Sequence, residues 1–429
     1  MKRLLYSDLL KWKECANRKP LVLNGARQVG KTWLLKSFGK QEYAKVAYIS
    51  CELADNLESV FADFNVVRIL RALSAMSGVD ITPHDTLIII DEAQEYPRAL
   101  TALKYFCEDA PDYHIAVAGS LLGLTLHRGV SFPVGKVDVL QLYPMVFSEF
   151  VEAVHSKQMA ETLRAKQWDV INSLHTQYVE LLRQYYYVGG MPGAVSAYCD
   201  GSGPLAVREL QQQILQGYTD DFSKHAENRE VPRIKLIWDG VPRSLAKENK
   251  KFKYSDIKSG GRASQFEIAL QWLIDTGLVY KVNRITAPNM PLRFYEENNV
   301  FKLFTLDVGL MGAMMQVSAE SVLIGDNIFS EYKGAFTELF VCTQLAPKQI
   351  PIHYYSSNDS RIEVDFVVQY SNRIMPIEVK AEENVHSKSL RTFVGMHPSL
   401  KGVRFSMKPY MNQDWMENIP LYACGEIIK

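Results

Sequence analysis

Apolar and polar positions fall into short runs separated by longer stretches of helical spacing, most clearly in the first third of the chain. Leu21-Val22-Leu23 is an apolar run bounded by Pro20 and Asn24-Gly25, which predicts a buried strand. The stretch Trp33-Leu-Leu-Lys-Ser-Phe38 has the spacing of a helix. Val46 to Ile49 and Thr86 to Ile90 read as further strands, and they run into the acidic turns Cys51-Glu52 and Asp91-Glu92. Helical stretches lie near Phe61 to Met76 and Ala99 to Cys107, and His114 to Ala118 is a strand ending at Gly119-Ser120. Strands alternating with helices predict an α/β fold: a parallel sheet with helices on both faces and right-handed crossovers.

The rhythm then changes. From about Val151 to Glu230 apolar residues recur at three and four spacing, as at Val179, Leu182 and Tyr186, and Tyr187 to Gly193 interrupts them with a turn-rich break. Both a helical lid and a plain spacer fit this stretch. Between Val231 and Val282 several short helices close on the strand-like Leu278 to Val282. The order of Phe252 to Lys258 and then Ser264 to Gly277 reads as a winged helix, with Ser264 capping a recognition helix and Gly277 ending it. Farther on, Gly334 to Leu345 has amphipathic helical spacing, and Tyr354-Tyr355, Glu363 to Val368 and Ile374 to Lys380 read as successive strands joined by short turns.

Composition narrows the class. The chain has 429 residues, 47% of them hydrophobic and 22% charged, which fits a soluble globular protein of two to four domains. Lys plus Arg (48) balances Asp plus Glu (48), so only a local basic face could favour nucleic acid. The six cysteines are scattered without a CxxC pair, as expected of reduced thiols. The amino-terminal stretch lacks the apolar core of a signal peptide, and no apolar run is long enough to span a bilayer. A cytoplasmic protein with no membrane contact is the expectation.

The first chemistry sits between the first strand and its helix. Gly25-Ala26-Arg27-Gln28-Val29-Gly30-Lys31-Thr32 is a GxxxxGK[ST] phosphate loop in the strand–loop–helix context that the motif requires. Its glycines let backbone N–H groups turn toward phosphate oxygens, and the helix adds its positive end. Lys31 is expected on the β- and γ-phosphates and the Thr32 hydroxyl on Mg²⁺, with Gly25 through Trp33 lining an ATP site. Asp91 is expected to hold the Mg²⁺ and Glu92 to orient or polarise the attacking water. Ser120, at the end of a strand beside the Asp91 strand, is a candidate to touch the γ-phosphate or that water.

Arg27 to Thr32, Asp91-Glu92-Ala93-Gln94, Ala118-Gly119-Ser120, Leu142 to Phe150 and Gly189-Gly190-Met191-Pro192 together resemble the AAA-type ATPases of bacteria and archaea that carry a C-terminal domain of unknown function. The resemblance covers nearly the whole chain and implies ATP hydrolysis. That family usually has a Gly-Arg pair before the Leu142 stretch, and its arginine is a candidate to contact the γ-phosphate in trans. Here the pair is Gly135-Lys136, and a lysine cannot reproduce an arginine's bidentate fork. Arg128 is the nearest substitute. Homo-oligomerisation stays open.

In the last third, Asp365 and the Glu378-x-Lys380 pair fall on adjacent strands, and residues two apart project from one strand face. With Glu338 on the preceding helix, the set resembles the PD-(D/E)XK nuclease superfamily. The resemblance implies that Glu338, Asp365 and Glu378 hold Mg²⁺ and that Lys380 activates water or steadies the scissile phosphate. The organisation expected is an AAA-type P-loop domain over 1–165, a helical lid or linker over 166–230, a winged helix over 231–290 and a restriction-endonuclease-like α/β domain over 291–429. Lys247, Lys250, Lys251, Lys253, Lys258 and Arg262 lend the winged helix a basic face toward DNA. Three functions stay open: an ATPase whose nucleotide state repositions the C-terminal half on DNA or a protein partner, an ATP-gated metal-dependent nuclease, and a nucleotide switch that binds only protein.

Overall fold

A computed structural model describes residues 1–53, 57–120, 133–247, 250–325, 327–357, 359–381 and 387–428, with no side-chain description over 324–332. Two units result: Met1–Tyr143 with Asp275–Gly277, and Pro144–Ile274 with Leu278–Lys429. Among the described residues no helix is long and apolar enough to cross a membrane.

The first unit is built on five strands, β1 (Leu21–Asn24), β2 (Lys45–Ser50), β3 (Thr86–Asp91), β4 (His114–Ala118) and β5 (Asp138–Gln141). They lie in the order β2-β3-β4-β1-β5, and every neighbouring pair is parallel. All of β3 and β4 is buried, as a central parallel strand covered on both faces must be. Alternate side chains separate the faces. Ile88, Ile90, Ile115 and Val117 pack with Ile69 and Leu73 of helix Val66–Ser77 and with Leu100, Leu103 and Phe106 of helix Pro97–Asp109. The opposite face takes helix Lys31–Glu42, which comes so close that a Cβ on Gly39 would lie 2.8 Å from Val46 and 3.2 Å from Leu87. The α/β reading of this region is thus what the chain forms.

The second unit begins as helices, among them Phe147–Val154, His175–Val188 and Gly203–His225. It ends in an eight-stranded mixed sheet of β6 (Val279–Ile285), β7 (Glu296–Thr305), β8 (Ile352–Ser356), β9 (Glu363–Tyr370), β10 (Arg373–Val379), β11 (Gly402–Ser406), β12 (Met411–Asn412) and β13 (Met416–Pro420). Its order is β12-β13-β11-β10-β9-β8-β6-β7. Helices Val231–Leu245, Tyr254–Ile257 and Ala263–Asp275 are followed by the antiparallel β6–β7 hairpin, the order of elements expected of a winged helix. The hairpin does not stand free as a wing: β6 also pairs with β8 in parallel, so it is continuous with the C-terminal sheet. Ser264 lies within its helix rather than capping it.

The turn Gly189-Gly190-Met191-Pro192 serves packing. Asp307 is buried at the start of helix Val308–Met314 and accepts N–H bonds from Leu310 at 2.9 Å and Gly190 at 2.6 Å. The Gly190 carbonyl accepts from the Met145 N–H at 2.7 Å. A Cβ on Gly190 would lie 2.1 Å from the Met145 carbonyl oxygen. Backbone then meets backbone, and no rotamer relieves it. Gly190→Ala is therefore expected to destabilise the second unit by about 3 kcal/mol or more, read as a lowered urea midpoint of the full chain; an unchanged midpoint would show that the turn can yield.

Candidate nucleotide site and a charged sheet face

Three features of the first unit reach one edge of its parallel sheet. β1 delivers the phosphate loop at its C-terminal end, β3 ends in Asp91, and β4, hydrogen-bonded between them, leads to Ser120. The loop holds its shape through unusual backbone angles, with φ of 151° at Gly25, 66° at Gln28 and 95° at Gly30, the residue before helix Lys31–Glu42. Gly25 also has no room for a side chain, since a Cβ would sit 2.3 Å from the Leu142 carbonyl oxygen. Val29 is buried beneath the loop, while Arg27, Gln28 and Trp33 are exposed and Thr32 is half-buried. The Lys31 ammonium is buried and donates to the carbonyls of Gly25 at 2.9 Å and Ala26 at 2.8 Å. Burial lowers its pKa to about 8, against the pull of Glu92 and Asp91.

Asp91 is buried and accepts the Tyr48 hydroxyl at 2.9 Å on one oxygen and the Glu92 N–H at 3.1 Å on the other. Glu92 adopts a left-handed φ of 53°, a conformation that costs a non-glycine residue about 1 kcal/mol and clusters at working sites. Its carboxylate accepts from the Gln94 side-chain amide at 2.5 Å. Ser120 is buried. The Thr32 hydroxyl and Asp91 carboxylate are hard oxygen donors of the type that holds Mg²⁺ beside phosphates, so this donor set fits the ion. Sequence reasoning missed three positioning residues here. Arg3, buried, donates to the carbonyls of Val29 at 2.8 Å and Tyr143 at 2.6 Å, and Tyr48 and Gln94 hold the acids. An arginine near a chain terminus and a lone tyrosine carry no pattern that would have marked them.

Lys136 falls elsewhere. It precedes β5 and pairs with Glu108 at 2.8 Å, in the last turn of a helix that runs back from the end of β3 toward the start of β4. Both therefore lie at the sheet edge opposite the phosphate loop, so Lys136 does not serve its own chain's loop. Arg128 lies outside the described residues.

In the second unit the C-terminal acids share one sheet face but engage cations of the chain itself. The antiparallel register Ile377↔Phe366 sets Asp365 level with Glu378 and Glu363 level with Lys380. One Glu338 oxygen pairs with the Lys250 ammonium and the other with Lys302 at 3.5 Å. Lys302 is fully buried on β7 and also pairs with Glu363 at 2.7 Å. Desolvation alone would lower its pKa, yet Glu338, Glu363 and Asp365 outweigh it and hold the group well above the usual lysine range. Lys380 pairs with Glu378 at 2.8 Å, and Asp365 accepts the Val379 N–H at 2.7 Å. Burial and the neighbouring Glu338 charge push Asp365 above the ordinary carboxylate range. Among the described residues no three His, Cys, Asp or Glu side chains converge as a metal ion would require. The expected ligand trio Glu338, Asp365 and Glu378 is brought to one neighbourhood with Lys380, but not into a coordination shell; Lys302 and Lys250, which sequence reasoning did not place there, take the carboxylate of Glu338.

Residues 17–151 match the family model of an AAA domain. Over these residues the N-terminal unit is similar to AAA domains. Residues 179–321 and 333–424 match two further models, each described as a domain of unknown function. Among curated proteins none matches the chain. Of solved structures, the Walker-type ATPase PABY2304 of Pyrococcus abyssi is 17% identical with a TM-score of 0.46, over 73% of this chain and 95% of that one. The ORC1 protein of Aeropyrum pernix, solved in complex with DNA, is 10% identical with a TM-score of 0.30, over 74% of this chain and 93% of that one. Likenesses this distant carry no argument, and the assignment rests on the AAA model match and the loop geometry.

The charged face yields a stability test. Removing one partner of a buried ionic network leaves an uncompensated charge and costs about 3–5 kcal/mol. Lys302→Met is expected to destabilise the chain by that order in urea unfolding, whereas Lys11→Met, whose pairing with Asp8 is exposed, is expected to change little. Equal effects would count against Lys302 as the central counter-charge.

Proposed function

We propose that the chain binds ATP with Mg²⁺ at the phosphate loop and hydrolyses it. The observation that carries this reading is the meeting of Lys31 and Thr32, Asp91 and Glu92, and Ser120 at one edge of a single parallel sheet. The loop N–H groups and the helix that starts at Lys31 cradle the phosphates, and Lys31 exchanges two neutral carbonyl partners for phosphate oxygens. Thr32 and Asp91 would hold Mg²⁺, which when bound offsets phosphate charge. Glu92, fixed by Gln94, orients the attacking water, and Ser120 contacts the γ-phosphate or that water.

ATP turnover in this reading changes how the second unit engages DNA or a protein partner. The helix module is less basic than its composition. Lys247 is paired with Asp256 at 2.8 Å and Lys250 with Glu338, leaving Lys253, Lys258 and Arg262 exposed as the residues to meet phosphates. DNA affinity that falls with salt and weakens when these three are changed to Ala supports DNA as the partner; salt-independent or absent binding directs the search to protein.

Lys31→Ala is expected to abolish ATP binding in calorimetry, and Glu92→Gln to keep binding while lowering turnover at least 100-fold, on the order of a lost general base. Retained affinity in the first variant, or full turnover in the second, would remove the assignment. The pH dependence has a fixed sign. Lys31 titrates near 8 in the free chain, and phosphate charge raises it on binding, so ATP affinity falls and proton uptake grows as pH rises above about 8. Binding heats measured in buffers of different ionisation enthalpy read that uptake directly.

A further inference from the structure

We infer that the acidic face of the C-terminal sheet is a metal-free site, neutralised by lysines of the same chain, and that the second unit acts there by binding rather than by metal-assisted cleavage of a phosphodiester. A divalent cation needs several carboxylate oxygens turned toward one point at about 2.0 to 2.6 Å. Here four of the six oxygens of Glu338, Asp365 and Glu378 already have partners among the described residues. Both oxygens of Glu338 face ammonium groups, Lys250 on one and Lys302 on the other. One oxygen of Asp365 takes the Val379 N–H, and one of Glu378 takes Lys380.

Lys302 is the decisive residue. It is wholly buried on β7, and it bridges Glu338 from the helix side to Glu363 on β9. A surface lysine can swing into water when an ion arrives, but a fully buried ammonium has nowhere to go without leaving acids uncompensated. The charge count agrees. Lys250, Lys302 and Lys380 already stand against Glu338, Glu363, Asp365 and Glu378. A divalent ion added among them would turn a near-neutral buried cluster positive and sit beside three ammonium groups.

What the face offers instead is a set of unspent hydrogen-bonding atoms. Glu378 Oε2, the Tyr354 hydroxyl and the Ser356 hydroxyl are buried and have no hydrogen-bond partner among the described residues. They suit a ligand that brings hydrogen-bond donors and acceptors, not a bare ion.

The inference does not depend on the ATPase reading, and its test removes the N-terminal metal hold. The full chain carrying Thr32→Ala and Asp91→Asn is titrated with Mn²⁺ without nucleotide, and free Mn²⁺ is followed by electron paramagnetic resonance. The expected result is no saturable uptake, and none changed by adding Glu338→Gln or Asp365→Asn. Saturable binding of one ion per chain that either substitution abolishes would overturn it. Because the double variant could fold poorly, the wild-type chain is titrated the same way beside Glu378→Gln, with equal uptake expected. Plasmid nicking in Mg²⁺ or Mn²⁺ gives an independent reading: no cleavage above that of Lys380→Ala is expected, and cleavage that Lys380→Ala removes would overturn the inference.

Discussion

Every strand of the N-terminal sheet runs in the same direction, and this constraint organises what the unit can do. In such a sheet all strand-to-helix loops gather at one edge and all returning connections at the other. Because β4 lies between β1 and β3, the phosphate loop and the acidic turn are held one strand apart, with Ser120 in the gap. The register also explains why these groups need so little support from their own loops. Asp91 is the last residue of a fully buried strand, and its position is set by pairing with Ser50 of β2.

The second unit depends on a different device, buried polar groups that tie distant segments. Asp307 joins the Gly189-Gly190 turn to the helix it caps, and Gln344 accepts the Phe147 N–H at 2.7 Å from a helix nearly two hundred residues away. Each is a polar group in an apolar setting, costly unless satisfied and directional once it is. Lys302 belongs to the same class. With Lys250 and Lys380 it supplies the positive charge that lets four carboxylates crowd together.

How much of this could be read in advance follows from distance along the chain. The phosphate loop, the Asp91-Glu92 turn and strands β9 and β10 were legible because each is a local pattern: a glycine spacing, an apolar run ending in acids, a tight hairpin. Asp365, Glu378 and Lys380 come together through that hairpin, whereas Glu338 reaches them from a separate helix. Their chemistry was not legible, because the lysines that engage Glu338 come from 88 and 36 residues away and sit in no motif. The pairing of β6 with β8 was hidden likewise. Nothing in a short hairpin announces that its outer edge continues another sheet. Arg3, Tyr48 and Gln94 show the same limit at the nucleotide site, where second-layer partners are ordinary residues made important by where the fold carries them.

The contacts of Lys31 bear on what the loop can recognise. Its ammonium already has two carbonyl partners, so admitting a ligand swaps hydrogen bonds of similar number rather than gaining new ones. The net attraction must then come from charge, and it is largest for the ligand that brings the most negative oxygens into the loop. A nucleoside without phosphates would leave both carbonyl contacts in place and bring no charge to the lysine. On the proposed ATP reading, the loop would discriminate by phosphate content before any contact with the base is made.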